Sequence, residues 1–269
     1  MNEEKIVAKN FSLFVTQKCT LNCKLCVAAA PYIENPVHTP LDMICKEIEK
    51  FFEVWDFSER VELVGGEPLM HPQVLEIAKE VVKYSDKFNN MRITTNATIV
   101  PSDEFCEFIS TCGKYVDFCV DDYGKYSKNL TPLTQKLEKY NIPYRIDVYH
   151  GEEQRFGGWV DFGDFTLIND VDTANIRWLA CPNRTANCIR VNQGRCFLCS
   201  YAVSLYYVKN ILPSDGSYLD LFDDTMTVKE KKELVLNFYK FTIEACKYCK
   251  GYDSKSERFP GPPEQVIRK

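Results

Sequence analysis

The sequence lacks a basic block, a long apolar run and a secretion signal. Its 33 Lys and Arg residues are outnumbered by 38 Asp and Glu residues, which gives a formal net charge of −5 at pH 7. Binding to duplex nucleic acid is therefore not expected. No stretch of about eighteen apolar residues occurs, and residues 1–5 lack the apolar segment of a signal peptide. We predict a cytoplasmic protein with no membrane partner and no nucleic-acid partner.

Repeats and low-complexity tracts are also missing, and the composition is that of a folded protein. Apolar residues make up 45% of the 269 residues and charged residues 26%, which excludes a disordered or fibrous chain. A chain of this length holds one large α/β domain, or one domain with a small appendage.

Cysteine, in contrast, is abundant. Cytoplasmic thiols are kept reduced, so the thirteen cysteines favour ligation of a metal or cluster over disulfides. Three of them lie near the start of the chain, and six lie in the last third, namely Cys181, Cys188, Cys196, Cys199, Cys246 and Cys249. The other four, Cys45, Cys106, Cys112 and Cys119, fall in helix or strand patterns, where we predict small buried side chains.

Apolar, β-branched runs alternate with helical patterns, which is typical of successive βα units with a mostly parallel sheet. Strands are predicted at residues 11–16, 60–64, 91–95, 115–120 and 144–149, with a sixth at 165–168. Helices are predicted at residues 40–54, 72–84, 102–112 and 131–140. Six strands with crossover helices indicate an α/β fold, either a partial barrel or an open twisted sheet.

The pattern changes after residue 150. Three glycines in residues 151–159 predict a loop. Residues 189–198 read as two short strands around a glycine turn, and a last helix is predicted from Val228 to Ala245. We therefore predict a core of residues 1–165 and a second domain of residues 166–269.

The spacing CxxxCxxC, formed by Cys19, Cys23 and Cys26, follows the first predicted strand. It therefore falls at the carboxyl end of a strand, where the sites of α/β proteins are built. Three closely spaced thiolates suit a four-iron cluster and leave one iron open to a small ligand. A zinc site with a distant fourth ligand is the alternative, since structural zinc takes four ligands.

This CxxxCxxC motif resembles the signature of the radical SAM superfamily. The resemblance implies a partial (β/α)6 barrel and a 4Fe–4S cluster whose open iron binds S-adenosylmethionine. It also implies a one-electron donor, such as flavodoxin or ferredoxin, and cleavage of the sulfonium to a 5′-deoxyadenosyl radical. Many members carry an aromatic residue before the third cysteine, where it packs on adenine; here Leu25 holds that position.

A second motif, Gly65-Gly66-Glu67-Pro68, follows the second predicted strand. Two glycines let a backbone approach a ligand closely, and a carboxylate accepts hydrogen bonds from an ammonium group. The motif resembles the GGEP sequence of the superfamily, which implies that Glu67 contacts the methionine amine. An ordinary turn between strand and helix is the alternative.

Polar residues end three further strands. The resemblance implies that Thr95 and Asn96 lie near the ribose, although Asn is also a common turn former. Asp121 offers a carboxylate toward the same edge, and the guanidinium of Arg145 suits the methionine carboxylate. Solvent-exposed strand ends are the alternative for both charged residues.

A second set of thiols consists of Cys181, Cys199, Cys246 and Cys249. Four thiolates complete the coordination of one cluster, and zinc is the alternative. A cysteine, a hairpin cysteine, a helix and a CxxC in this order resemble the twitch domain, a shortened relative of the SPASM domain. The resemblance implies a small C-terminal hairpin-plus-helix domain with one auxiliary 4Fe–4S cluster. Cys196 is an alternative to Cys199.

The resemblance implies hydrogen abstraction from an unactivated carbon, followed by oxidation or epimerisation. Cys119, Cys188 and Cys196 are candidate hydrogen donors for epimerisation, with buried structural thiols as the alternative. Residues 1–9 give only a short lead into the core, so a small metabolite such as a carbohydrate or aminocyclitol is favoured over a peptide. A peptide-modifying enzyme with a separate leader-binding partner, and a non-enzymatic zinc or iron–sulfur protein, stay open.

Overall fold

Nine strands form one sheet within residues 5–212, 216, 218–240 and 242–267, which the computed structural model describes. The strands are β1 (Val7–Ala8), β2 (Asn10–Thr16), β3 (Phe57–Gly65), β4 (Phe88–Thr95), β5 (Val116–Asp122), β6 (Tyr144–Val148), β7 (Cys188–Asn192), β8 (Arg195–Phe197) and β9 (Tyr218–Asp220). Their spatial order is β6-β5-β4-β3-β2-β7-β8-β9, and β1 pairs beside β3. Strands β2 to β7 are parallel, whereas β8 and β9 extend the sheet in antiparallel fashion.

Helices link the parallel strands. The α-helices are α1 (Leu41–Val54), α2 (Val74–Val82), α3 (Asp103–Thr111), α4 (Leu130–Lys139), α5 (Val171–Ala180), α6 (Asn183–Ala186), α7 (Ser200–Lys209) and α8 (Val228–Val235). The first four are the crossovers from β2 to β6, and they confirm the predicted helices to within two residues at each end. The mixed α/β fold with a parallel sheet, consistent with a partial barrel, confirms the predicted fold class. Across the described residues, no helix has the length and apolarity needed to cross a membrane.

The predicted sixth strand at residues 165–168 is wrong. The amides of Ile168 and Asn169 both donate to the Lys247 carbonyl, at 3.0 and 2.9 Å, so this segment is bonded to the short helical turn Glu244–Lys247 and not to the sheet. The sixth parallel strand is β7, which pairs with β2 from Asn10 opposite Cys188 onward. The sequence predicts β7 as a strand of the hairpin but not its pairing with β2, because a long-range pairing has little local signal.

The predicted hairpin is confirmed, and its turn residues Gln193 and Gly194 have φ angles of 51° and 78°. Because β7 pairs with β2, this hairpin continues the core sheet. The predicted helix from Val228 to Ala245 is too long, since α8 ends at Val235. Beyond that point the amides of Asn237, Phe238 and Lys240 bond to carbonyls three residues earlier, which makes turns. Residue 241 of that prediction lies outside the described residues, and the division at residue 165 stays a prediction.

The sheet has an apolar face and a polar face because side chains alternate along each strand. On the apolar face Phe11 stacks on Phe51 of α1, with ring centroids 3.8 Å apart. Its other strand residues are fully or almost fully buried, and include Leu13, Val61, Leu63, Met91, Ile93, Phe118, Ile189 and Val191. On the opposite face one row of paired residues is polar throughout, and consists of Arg190, Ser12, Glu62, Arg92 and Asp117. The helices cover the apolar face, so the polar face is free to form a site.

Glu47 of α1 is fully buried where the helix meets the hairpin turn. Its Oε1 accepts a hydrogen bond of 2.6 Å from the Gly194 amide, whereas its Oε2 has no hydrogen-bond partner. Burial raises the pKa of this carboxyl from its ordinary value of 4.5 to about 8. The folded state therefore holds the proton more tightly than the unfolded state, so folding stability falls as pH rises between these two values.

We expect Glu47→Gln to stabilise the protein at alkaline pH, because the amide keeps an acceptor for Gly194 and cannot ionise. The gain in unfolding free energy over wild type is expected to grow from pH 5 to pH 8 and to reach on the order of 3 kcal/mol. Urea denaturation at pH 5, 7 and 9 measures it. Glu49→Gln, at an exposed position of the same helix, is the control with no such pH dependence. An equal gain at pH 5 and pH 9 contradicts the assignment.

Candidate active site

The loop after β2 brings Cys19, Cys23 and Cys26 to one cavity of about 320 Å³. Gly65, the last residue of the neighbouring strand β3, and Gly66, which follows it, line the same cavity. The cavity opens at the carboxyl ends of the parallel strands, as the motif spacing predicts. Two motifs that are about forty residues apart in the chain therefore meet at one site, because their strands are neighbours.

Burial opposes ionisation of the three thiols of this loop, whereas cluster binding requires them to be ionised. Burial raises the pKa of Cys19 and of Cys23 to about 12, and it also raises the pKa of Cys26. Three buried thiolates in one cavity need a cationic partner, since metal coordination deprotonates a thiol outright. The donor set therefore fits a cluster that takes three sulfur ligands.

Gly65 and Gly66 let the end of β3 lie directly against the start of the cysteine loop. A Cβ at Gly65 would overlap the Thr16 carbonyl oxygen, and one at Gly66 would overlap the Lys18 carbonyl oxygen. The Gly66 amide donates to Thr16 at 2.8 Å, and the Glu67 amide donates to Lys18 at the same distance. Any side chain at these two glycines would push the two motifs apart.

The Glu67 carboxylate is fully buried and bonded within the protein. Its Oε1 accepts hydrogen bonds from the Leu69 amide at 3.0 Å and from the Thr95 hydroxyl at 2.9 Å, and its Oε2 accepts one from the Asn96 amide at 2.8 Å. Burial raises its pKa to about 7. Glu67 therefore holds the end of β4 against the GGEP loop, where Pro68 begins a single helical turn. A contact of Glu67 with a ligand amine stays a prediction.

Thr95 and Asn96 line the cavity at the end of β4. The Asn96 side chain donates to the Thr20 hydroxyl at 3.1 Å and to the Cys19 sulfur at 3.5 Å, so it joins β4 to the cysteine loop. Asp121 lines the cavity at the end of β5 and accepts a hydrogen bond of 3.1 Å from the Tyr123 hydroxyl. Burial raises the pKa of Asp121 to about 7.

Two predicted cofactor residues lie elsewhere. Leu25 lines a separate surface depression beside Trp159 and Glu264. The Arg145 guanidinium donates to Asp147 at 2.9 Å and to the Cys119 sulfur at 3.3 Å. Both cofactor roles stay predictions.

The residues that line the cavity do not include the three candidate hydrogen donors, which are Cys119, Cys188 and Cys196. Cys119 donates to Asp147 at 3.1 Å, and burial raises its pKa to about 12. Ligand atoms of Cys119, Asp121 and Asp147 lie within 4.8 Å of one another. Two guanidinium groups already bind Asp147, at 2.9 and 2.7 Å, which disfavours a metal cation there. Cys196 is fully buried in β8, and Cys188 begins β7 and donates to the Ala186 carbonyl at 3.2 Å.

The motifs gave no indication of several residues that line the cavity. Glu62 is held there by Asn10 at 2.8 Å and by the Thr94 hydroxyl at 2.7 Å. Arg190 and Trp159 line it as well. The available signal was a single charged residue between apolar neighbours within a strand, as at Glu62 in β3 and Arg190 in β7.

The second set of thiols meets at a second cavity, of about 240 Å³, which Cys181, Cys199, Cys246 and Cys249 line together. Burial raises the pKa of Cys199, Cys246 and Cys249, and the other thiols of the set raise them further. These four donors fit one cluster with all positions closed by sulfur. Cys196, the alternative to Cys199, is buried near Glu47 on another side of the hairpin.

The two cavities adjoin. Both are lined by Val27, Arg190 and Ser200. The Arg190 guanidinium is fixed between them by bonds of 2.7 Å to each of two carbonyls, those of Cys188 and Leu198. The two cysteine sets therefore line neighbouring cavities.

Residues 13–143 match the family model described as the Radical SAM superfamily. This stretch runs from β2 to the residue before β6 and contains both the CxxxCxxC and the GGEP sequences.

Two curated proteins match parts of the chain. An uncharacterized protein of Methanocaldococcus jannaschii is 28% identical over 156 residues, which cover 51% of this chain and 51% of that protein. The GTP 3′,8-cyclase of Lactiplantibacillus plantarum is 33% identical over 86 residues, which cover 31% of this chain and 25% of the cyclase. The chain thus spans about half of the first relative and a quarter of the second.

One solved structure resembles nearly the whole chain. The structure of BtrN in complex with AdoMet and 2-DOIA has a TM-score of 0.59 and 14% identity, and the match covers 95% of this chain and 98% of BtrN. At this identity the likeness shows a shared fold.

Proposed function

We propose, from the premise that residues 13–143 form a radical SAM domain, that this chain is an enzyme that cleaves S-adenosylmethionine reductively. Cys19, Cys23 and Cys26 would hold its 4Fe–4S cluster. The observation that carries the proposal is that these three thiols line one cavity, where the described residues supply no fourth cysteine. When bound there, cluster and S-adenosylmethionine supply a 5′-deoxyadenosyl radical, which removes a hydrogen atom from a substrate.

The chain's own residues would position the cofactor around this cavity. Gly65 and Gly66 offer a wall of bare backbone, which suits a close approach by the methionine moiety. Thr95 and Asn96 present polar side chains from β4, held in place by the buried Glu67. These two side chains suit the ribose hydroxyls. An external one-electron donor such as flavodoxin or ferredoxin completes the system.

The substrate we favour is a small polar metabolite, such as a carbohydrate or aminocyclitol. Glu62 and Asp121 direct carboxylates to the cavity, and Arg190 adds a guanidinium. Such groups bind hydroxyl and amino groups well, and an apolar ligand would cover them without making further hydrogen bonds. Trp159 adds an aromatic surface for a ring. BtrN, which shares the fold, was crystallised with AdoMet and 2-DOIA together.

We further propose that Cys181, Cys199, Cys246 and Cys249 hold one auxiliary 4Fe–4S cluster in a twitch-like domain of residues 166–269. Such a cluster would supply an electron acceptor beside the substrate cavity. Val27, Arg190 and Ser200, which line both cavities, support this arrangement. It favours oxidation over epimerisation, since the residues that line the cavity do not include the candidate hydrogen donors Cys119, Cys188 and Cys196.

Transfer of a substrate hydrogen tests this function. Candidate aminocyclitols and sugars, deuterated at carbon, are incubated anaerobically with the reconstituted protein, S-adenosylmethionine and reductant. We expect deuterium in 5′-deoxyadenosine. Asp121→Asn is expected to lower the transfer by about tenfold or more, because it removes a charged hydrogen-bond acceptor.

The matched control is Asp122→Asn, since Asp122 is the next residue but bonds to Gly124 and His150. This control is expected to transfer label at the wild-type rate. Label transfer from peptides alone, with no polar metabolite active, would contradict the substrate class.

A further inference from the structure

Residues 259–266, here called the strap, lie across the outside of the cysteine loop. The strap starts at Phe259, whose amide and carbonyl pair with those of Trp159 at 2.8 Å each. The Gly261 amide then donates to the Gln154 side chain at 2.9 Å. The strap is therefore anchored to the loop that borders the cavity before it reaches the cysteines.

The far end of the strap pairs with the cysteine loop itself. The Lys24 amide donates to the Glu264 carbonyl at 2.8 Å, and the Val266 amide donates to the Asn22 carbonyl at 2.8 Å. These two bonds flank Cys23, so the strap holds the loop on both sides of this thiol. Cys23 is only 7% exposed as a result of this cover and its neighbours.

The side chain of Gln265 joins the strap to the cysteine loop. Its Oε1 accepts a bond of 2.6 Å from the Asn22 amide, and its Nε2 donates to the Cys23 sulfur at 3.2 Å. A second bond of 3.2 Å from Nε2 to the Pro263 carbonyl fixes the direction of the amide. Both polar atoms of this side chain are thus directed at the cysteine loop.

We propose that Gln265 is a positioning residue that raises the reduction potential of the cluster held by Cys19, Cys23 and Cys26. The proposal rests on the function proposed above. Reduction adds one negative charge, which the ligand sulfurs share. A hydrogen bond donated to a ligand sulfur stabilises the reduced form more than the oxidised form. The strap supplies this donor and keeps it in place.

Redox titration of the full-length protein tests the proposal. The relevant cluster is the one whose electron paramagnetic resonance spectrum changes when S-adenosylmethionine is added. Gln265→Leu removes the donor, and reduction is expected to become about tenfold less favourable, which is about 59 mV for a one-electron couple. Gln265→Glu keeps an acceptor for the Asn22 amide and puts a carboxylate near the sulfur, so its potential is expected to fall at least as far.

The control is Glu264→Gln, since within the described residues the Glu264 side chain makes only an exposed ion pair with Lys24, at 2.9 Å. Its backbone carbonyl still pairs with the loop, so the potential is expected to stay at the wild-type value. A merely structural strap would alter the melting temperature of the Gln265 variants without a change in potential.

Gly261→Ala tests the strap without any change at Gln265. A Cβ at residue 261 would overlap the Tyr149 carbonyl oxygen, so the strap must shift. We expect a lower potential and faster hydrogen exchange at the Lys24 and Val266 amides. If Gln265→Leu fails to incorporate a cluster, the reduction potential of Gly261→Ala tests the role of the strap.

A wild-type potential in Gln265→Glu, or in Gln265→Leu that has incorporated its cluster, would overturn the role of Gln265 and leave the proposed function standing. A wild-type protein without any cluster that responds to S-adenosylmethionine would overturn both.

Discussion

Replacing Cys19, Cys23 and Cys26 together with alanine is expected to abolish reductive cleavage of S-adenosylmethionine. The variant is expected to keep about four of about eight iron atoms per chain, because each four-iron cluster has its own thiols. The three thiols line a cavity in which the described residues provide no substitute cysteine. 5′-Deoxyadenosine is measured by chromatography after anaerobic reduction, and iron is measured in the same samples.

The matched control for this variant also removes three thiols, two of them within α-helices and the third directly after one. Cys45, Cys106 and Cys112 lie in α1, in α3 and directly after α3, and their joint replacement is expected to leave both iron content and cleavage unchanged. Persistent cleavage in the Cys19, Cys23 and Cys26 variant would refute the assigned cluster site. Loss of all iron from that variant would mean that both sites depend on one set of ligands.

The double substitution Cys246→Ala and Cys249→Ala is expected to remove the auxiliary cluster and to leave the cluster that cleaves S-adenosylmethionine in place. The protein is expected to lose about four iron atoms and to retain cleavage of S-adenosylmethionine. Oxidation of the substrate is expected to be lost, because the electron acceptor beside the cavity is gone. Iron analysis, 5′-deoxyadenosine and substrate product are measured on one preparation, and circular dichroism checks that the protein is folded.

Cys188→Ala with Cys196→Ala is the control for the auxiliary site. These thiols lie in the same hairpin, outside the cavity that the other four line. We expect full iron content and full product formation from this control. Full iron in the Cys246 and Cys249 variant would contradict the auxiliary cluster.

The parallel core could be predicted because its signals are local. Apolar residues at every second position of β2 to β5, and helical patterns between them, indicate the βα units directly. The CxxxCxxC and GGEP sequences each follow a strand, so their place at one edge of the sheet followed from the chain order. The proximity of Cys19 to Gly65 is therefore a consequence of neighbouring strands.

The features that escaped prediction depend on contacts between distant parts of the chain. Strand β7 was predicted as part of the hairpin, but its pairing with β2 as the sixth parallel strand was not. Gln265 meets Cys23 across 242 residues of sequence. The hydrogen bonds that Glu67 accepts from Thr95 and Asn96 also join distant parts of the chain, and its contact with a ligand amine stays a prediction. Such pairings have no pattern in the local sequence.

The activity proposed for this chain is cleavage of S-adenosylmethionine at an iron–sulfur cluster. The most direct test is to purify the wild-type protein without oxygen, count its metals, and assay 5′-deoxyadenosine after adding S-adenosylmethionine and reductant. We expect a brown protein with about eight iron atoms per chain that forms 5′-deoxyadenosine. A colourless protein with zinc in place of iron and no 5′-deoxyadenosine would contradict it.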